Sequence, residues 1–215
     1  MTHRLPHFAL WLVWSLLTAV SAGLYALIAR VSPGFEYTQP FVERPILVML
    51  ALLGAAFAVY VLAALIAARW APSRGQLGMI AGAAVLYRLI LLPTPPIQEV
   101  DIYRYLWDGI VVSQGINPFR FPPQVVREAW PGGVRDPPLA SLVQLRDADP
   151  HIRTVLARVH YAQLPTVYPP VSQAVFAAAA WTTPAQASID QRILILKTWL
   201  LGFDLATGGL VLLLL

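Results

Sequence analysis

Asp101, Arg104, Tyr105 and Asp108 stand at i, i+3, i+4 and i+7 of one charged, aromatic stretch, Asp101-Ile102-Tyr103-Arg104-Tyr105-Leu106-Trp107-Asp108-Gly109. Read as a helix, that spacing puts two carboxylates, a guanidinium and a phenol on one face, with Tyr103, Leu106, Trp107 and Ile110 on the other. Such a face can take a proton from a hydroxyl while a cation holds an anion nearby. Asp101 has two readings. As a helix cap, with Glu99 just before it, it complements the macrodipole and the free N–H groups of the first turn. That accounts for one acid, but not for Asp108 or for the arginine and tyrosine beside them. As a general base, it deprotonates a hydroxyl nucleophile at a membrane surface.

Other chemistry-bearing residues flank this stretch. Arg88 sits between Tyr87 and Leu89 in an apolar run. A charge at a bilayer centre costs roughly 2.5–3.5 kcal/mol, so it needs either a partner or a route to the interface. Phosphate is the partner its planar guanidinium matches best. Pro165-Thr166-Val167-Tyr168-Pro169-Pro170 makes a rigid, extended lead-in to another apolar run. Tyr168 there is either an interfacial anchor or, with Gln173, a hydrogen-bonding wall of a substrate cavity. His160 has no second histidine at metal spacing and reads as a surface residue. Lys197 and Asp204 share a face two turns apart, and no role is assigned to them.

The elements that carry these residues belong to a membrane protein. The chain is 58% hydrophobic and 12% charged, far too apolar for an ordinary soluble domain. Residues 8–29 form an uncharged stretch of 22 residues, about 33 Å as a helix, against a hydrocarbon core of about 30 Å. Runs of this length exclude barrel strands. The expected fold is all-α and polytopic, with five spans near 8–29, 45–68, 76–92, 170–183 and 193–215, of which the fourth is short. Residues 1–22 carry small residues suited to signal cleavage (Ala19, Ser21, Ala22), but the apolar run continues to Ala29, so a retained anchor is expected. Three domains follow from this division. They are three N-terminal spans in 1–92, an insertion with interfacial helices in 93–169, and two further spans in 170–215.

The insertion carries seven arginines and seven acids. Gly115 and Asn117-Pro118 are stop signals for the Asp101 helix. Asp149-Pro150 reads as a cap with proline at the first helical position, followed by Ile152, Val155, Leu156 and Val159 at helical spacing. Arg4, Arg69, Arg74, Arg192 and Lys197 on one side, against Arg30 and Arg44 on the other, put the N-terminus in the cytoplasm and the insertion outside the plasma (inner) membrane. The net charge of +4 comes from scattered arginines, none forming a phosphate-tracking patch, so nucleic acid is not an expected partner. With no cysteine there is no disulfide framework or thiolate metal site. The chain ends inside the apolar run 210–215 with no basic stop, which suggests a piece of a longer protein.

Three blocks resemble the signature of bacterial multi-spanning glycosyltransferases of the GT-C superfamily, the mannosyltransferase-like enzymes that use polyprenyl-phosphate sugars. They are Glu99-Val100-Asp101-Ile102-Tyr103-Arg104-Tyr105-Leu106-Trp107-Asp108-Gly109, then Gly115-Ile116-Asn117-Pro118-Phe119-Arg120-Phe121, then Pro165-Thr166-Val167-Tyr168-Pro169-Pro170. Their order and spacing agree over roughly 89–173, and Arg88-Leu89 before the insertion fits the same pattern. The resemblance implies inverting transfer of a hexose, mannose being the expectation, from a polyprenyl-phosphate donor to a glycan or lipid acceptor of the cell envelope. It makes Asp101 the base and Arg88, Arg104 and Arg120 the donor-phosphate candidates. Glu99, Tyr105, Asp108, Asn117, Tyr168 and Gln173 are then expected to line the substrate cavity. Members often carry two adjacent acids where this chain has Val100 preceded by Glu99. No cofactor is implied, and a divalent cation stays open because Glu99 and Asp101 alone are too few ligands to define its site. Members are about twice this length, so the chain corresponds to an N-terminal half. The alternative is a non-catalytic transporter or lipid-binding subunit of an envelope assembly. Transporters place polar groups near the midplane and show repeats, whereas here the polar cluster lies in the insertion and no repeat is visible.

Overall fold

The computed structural model describes residues 7–97 and 100–214, which are all-helical, with nine α-helices, and form two compact units divided after Ile97. The first unit holds α1 (His7–Val31), α2 (Ile46–Arg69) and α3 (Arg74–Leu91). Proline ends α1, at Pro33, within a short 3-10 turn. A capping box starts α3: Ser73 Oγ accepts from Gln76 N at 3.4 Å and Gln76 Oε1 accepts from Ser73 N at 2.8 Å. Helices α1 and α3 run parallel, since Trp11 packs over Gly75, Ser15 meets Met79 and Tyr25 stacks on Tyr87 at 4.8 Å.

The second unit holds α4 (Ile102–Ser113), α5 (Pro123–Glu128), α6 (Pro137–Ala148), α7 (Pro150–Ala157), α8 (Pro170–Trp181) and α9 (Ile189–Leu214). Helix α4 is its centre, and its Trp107 shares the core with Leu142, Val155, Leu156 and Leu196. It stops as the glycine signal predicts. Gly115 takes φ +72°, its N–H donates to Val112 O at 2.9 Å, and Ile116 N donates to Val111 O at 3.2 Å, which is a Schellman motif. The Asp149 cap also forms, accepting from His151 N at 2.8 Å and Ile152 N at 3.4 Å.

Among the described residues three helices are long and apolar enough to cross a membrane: the run Phe8–Phe35, Ile46–Arg69 and Ile189–Leu214. That is the make-up of a multi-pass membrane protein, with three such helices where the sequence suggested five. Helix α8 has 12 residues, about 18 Å against a core of about 30 Å. Hydroxyls of Thr182 and Thr183 fold back onto carbonyls of Ala178 and Ala179 at 2.7–3.1 Å, and Pro184 follows. Gln173, Phe176, Ala177 and Ala179 are buried in protein, so its apolar composition serves the core. Helix α3 spans 18 residues, about 27 Å, and contains Arg74, Gln76 and Arg88.

One charge changes sides. Arg192, counted above with the short connections on the N-terminal side, is buried and pairs with Asp149 of the insertion at 2.9 Å. It also donates to the carbonyls of Ala187 and Ala185, each at 3.0 Å. The start of α9 therefore sits with the insertion.

Candidate functional site

The spacing of Asp101, Arg104, Tyr105 and Asp108 does put them on one side of α4. Arg104 and Asp108 on that side are closed off from solvent, and Asp101 and Tyr105 are partly so. The side is turned onto the chain segment from His160 to Phe176, which includes the start of α8, and α4 and α8 run parallel through the contact. Asp101 meets Tyr168, Asp108 meets Gln173, Gly109 meets Phe176, and Trp181 Nε1 donates to Ser113 O at 3.3 Å. Helix α4 is buried on nearly all sides, with Arg104 6% and Asp108 2% exposed. The expected division into a polar and an apolar face is corrected accordingly: the second unit surrounds the helix.

Asp101 stands just before the first residue of α4, but its side chain makes no cap hydrogen bond. Instead Tyr168 Oη donates to Asp101 Oδ2 at 2.7 Å, and Tyr168 and Tyr105 hydroxyls lie 3.4 Å apart. The rings form a compact group. Tyr105 stacks on Phe176 at 4.8 Å and meets Tyr168 edge-on at 4.9 Å. Asp101, Tyr105 and Tyr168 are each partly buried. Burial pushes the Tyr168 phenol far above the usual tyrosine range, and hydrogen bonds with Tyr105 and Asp101 push it the same way. The phenol therefore holds its proton more tightly than an ordinary tyrosine and donates it to Asp101.

Below this group lies a buried polar trio. Gln173 Nε2 donates to Asp108 Oδ2 at 3.1 Å and to Thr166 Oγ1 at 2.9 Å. Burial raises the Asp108 carboxyl above its ordinary value; hydrogen bonds from Thr166 and Gln173 and the charge of Arg104 pull it back in part. Gln173 Oε1 is buried with no partner. Asp108 and Gln173 thus underlie the site, and their burial keeps them from lining a cavity that a sugar could enter.

Arg104 is engaged with backbone. Its Nη2 donates to the carbonyls of Tyr161 at 3.0 Å, Leu164 at 3.2 Å and His160 at 3.3 Å, and its Nη1 to Leu164 at 3.2 Å. These bonds hold Tyr161 in the left-handed region, at φ +48°, where a non-glycine residue is strained by about 1–3 kcal/mol. Arg120 is half-exposed, pairs with Asp136 at 2.6 Å and lies over the Phe121 ring at 5.0 Å. Asn117 is exposed and turns the chain beyond the far end of α4, accepting from Phe119 N at 2.9 Å. That end is about 18 Å of helix from Asp101. In the first unit, Arg88 Nη1 donates to Ala84 O at 3.0 Å, one turn back. Glu99 lies outside the described residues. Among the described residues no three His, Asp or Glu side chains gather as a metal site requires.

Three residues of the site escaped sequence reasoning. Thr166 lies inside a block that was noted for its prolines and tyrosine. Phe176 looked like one apolar residue among many in a presumed span. Gly109 closed the Asp101 stretch, and its place mid-helix, where glycine is disfavoured, was the signal for a close approach.

No protein-family model matches the chain, and neither a curated protein nor a solved structure does.

Proposed function

We propose that this chain is a membrane glycosyltransferase, moving a hexose from a polyprenyl-phosphate donor to a hydroxyl of a glycan or lipid acceptor, with Asp101 as general base. One observation carries the reading. Two of the three sequence blocks that resemble such enzymes, 67 positions apart in the chain, converge in the hydrogen bond from Tyr168 to Asp101. Tyr168 orients the carboxylate, and the Tyr105–Phe176 stack walls one side of it.

In the proposed step the acceptor oxygen forms a bond to the anomeric carbon from the face opposite the phosphate. The bond from that carbon to the phosphate oxygen breaks, its electron pair leaving with polyprenyl phosphate. The hydroxyl proton passes to Asp101. Cationic groups stabilise the charge that develops on the departing phosphate. Arg104 is engaged on carbonyls, and within the second unit Arg120 is the half-exposed guanidinium that the resemblance offers for this role; releasing it from its pair with Asp136 costs about 0–1 kcal/mol.

The reading places the N-terminus in the cytoplasm and the insertion outside. With Arg192 on the insertion side and Lys197 following it in α9, the short connections hold Arg4, Arg69 and Arg74 against Arg30, Arg44 and Arg192, so the charges favour neither side and this placement rests on the resemblance.

The test is a transfer assay on the full chain in nanodiscs with a polyprenyl-phosphate hexose. Loss of a general base costs on the order of 10²–10⁴ in rate, so Asp101→Asn should fall that far while its folding is unchanged. Equal turnover by Asp101→Asn would remove Asp101 from the chemistry. Donor binding without transfer by the wild type would favour the lipid-binding subunit instead.

A further inference from the structure

The buried trio beneath the site performs no step of the proposed transfer, yet every bond it makes leads towards Tyr168. A threonine hydroxyl offers one proton and two lone pairs. Thr166, 5% exposed, uses all three: it accepts from Gln173 Nε2 at 2.9 Å and from Tyr168 N at 3.3 Å, and it hydrogen-bonds Asp108. Gln173, 4% exposed, ties the same hydroxyl to Asp108 from α8. Tyr168 then returns to α4 through its own hydroxyl on Asp101. Asp101 and Asp108 are held apart by two turns of one helix, about 10 Å. The bonds close a ring: Asp108, Thr166, Tyr168, Asp101 and back along α4.

Stability alone is a poor account of this ring. A buried carboxylate with an amide and a hydroxyl is no more stabilising than apolar side chains of the same volume, and here the amide oxygen of Gln173 is left unpaired as well. What the trio supplies is position, because it fixes the backbone at Tyr168 from below while proline residues stiffen it on both sides.

We infer that Thr166 is a positioning residue for the site: its hydroxyl, anchored on Asp108 and Gln173, sets where Tyr168 holds the Asp101 carboxylate. The functional half of this rests on the proposed transfer reaction, but the geometric half does not.

The experiment uses the full chain in nanodiscs, with 3-fluorotyrosine placed at position 168, and reads the fluorine NMR signal through a pH titration. Thr166→Val keeps the shape and removes the hydroxyl, whereas Thr166→Ser keeps the hydroxyl. The Val variant should shift the resonance and bring the titration of residue 168 down towards an ordinary phenol, and the Ser variant should stay with the wild type. An unchanged spectrum in the Val variant overturns the inference, as does an equal shift in both variants. In the transfer assay Thr166→Val should lower kcat on the order of tenfold to a hundredfold, as expected for a misplaced catalytic group, with KM little changed. In a Tyr168→Phe background the same change should add little, because the two act through one bond. Equal losses in both backgrounds would mean that Thr166 acts through folding, which would also overturn the inference. If the wild type transfers no sugar, or Asp101→Asn is as active as the wild type, the proposed reaction falls. The fluorine signal then decides the positioning by itself.

Discussion

Adding one methyl group at Gly109 tests the closest contact in the second unit. A Cβ built there would lie 2.7 Å from the carbonyl carbon of Phe176 and 3.2 Å from its Cβ, with the carbonyl oxygen closer still. Ordinary contact begins at 3.4 Å, so α4 and α8 would have to part by about 0.7 Å or more. The obstruction is backbone, which cannot rotate aside as a side chain could. Overpacking of this kind costs typically about 1–3 kcal/mol, and a backbone clash belongs at the upper end. Against that, alanine is better than glycine inside a helix by about 0.8–1.0 kcal/mol. The net for Gly109→Ala is a loss of roughly 2 kcal/mol. In a unit of this size that lowers the melting temperature by about 8 °C. Gly202→Ala in α9 is the matched control, because nothing lies within 4 Å of its added Cβ. It keeps only the propensity term and should melt at or above the wild-type temperature. The measurement is thermal unfolding in detergent, followed by tryptophan fluorescence. If Gly109→Ala melted with Gly202→Ala, α4 and α8 would not be in close contact. The Asp101–Tyr168 and Asp108–Gln173 bonds, which depend on that approach, would lose their basis.

Two further outcomes follow from the buried charges. Because burial raises the Asp108 carboxyl, the folded state holds its proton more tightly than the unfolded chain does. Stability from this group is therefore greatest at pH below the ordinary carboxylate value, and it is lost as pH rises through the raised one. Asp108→Asn removes the cost of the charge, so its melting temperature should exceed that of the wild type at neutral pH. The gap should close as pH falls, and a gap that widened on acidification would reverse the sign of this argument. Arg104→Met leaves the carbonyls of Tyr161 and Leu164 without their donor and should cost about 2–3 kcal/mol, with faster proteolytic cleavage near residues 160–164. If Arg104→Lys instead kept its stability and raised only KM for the lipid donor, Arg104 would belong to the phosphate site.

What the sequence disclosed was mostly local. The Gly115 stop and the Asp149-Pro150 cap depend on a few neighbouring residues, and both formed as read. The lengths of α1, α2 and α9 were equally plain, because an apolar run beyond 20 residues has few other uses. Helix α8 misled for a physical reason. Its alanines score as lipid-facing on any hydropathy scale, yet small side chains are also what lets a helix lie against Gly109 at backbone distance. Periodicity has a similar blind spot in α4. It says which residues share a side and nothing about what stands opposite. The partners of Arg104 are 56–60 positions away and those of Asp101 and Asp108 are 58–67, too far for any window to reach.

The same geometry bears on the two carboxylates of the Asp101 helix. A general base must come within about 2.6–3.2 Å of the proton it takes. Asp108, in the middle of α4, is sealed by Thr166, Gln173 and Arg104, so a sugar hydroxyl can reach it only if α8 moves away. Asp101, at the helix start, keeps part of its surface exposed and accepts from the Tyr168 phenol, whose proton burial holds more tightly than usual. Burial thus divides their work: Asp108 fixes the frame, and Asp101 is left where an acceptor can meet it. On this ground Asp108→Asn should spare much of the proposed transfer, while Asp101→Asn should not.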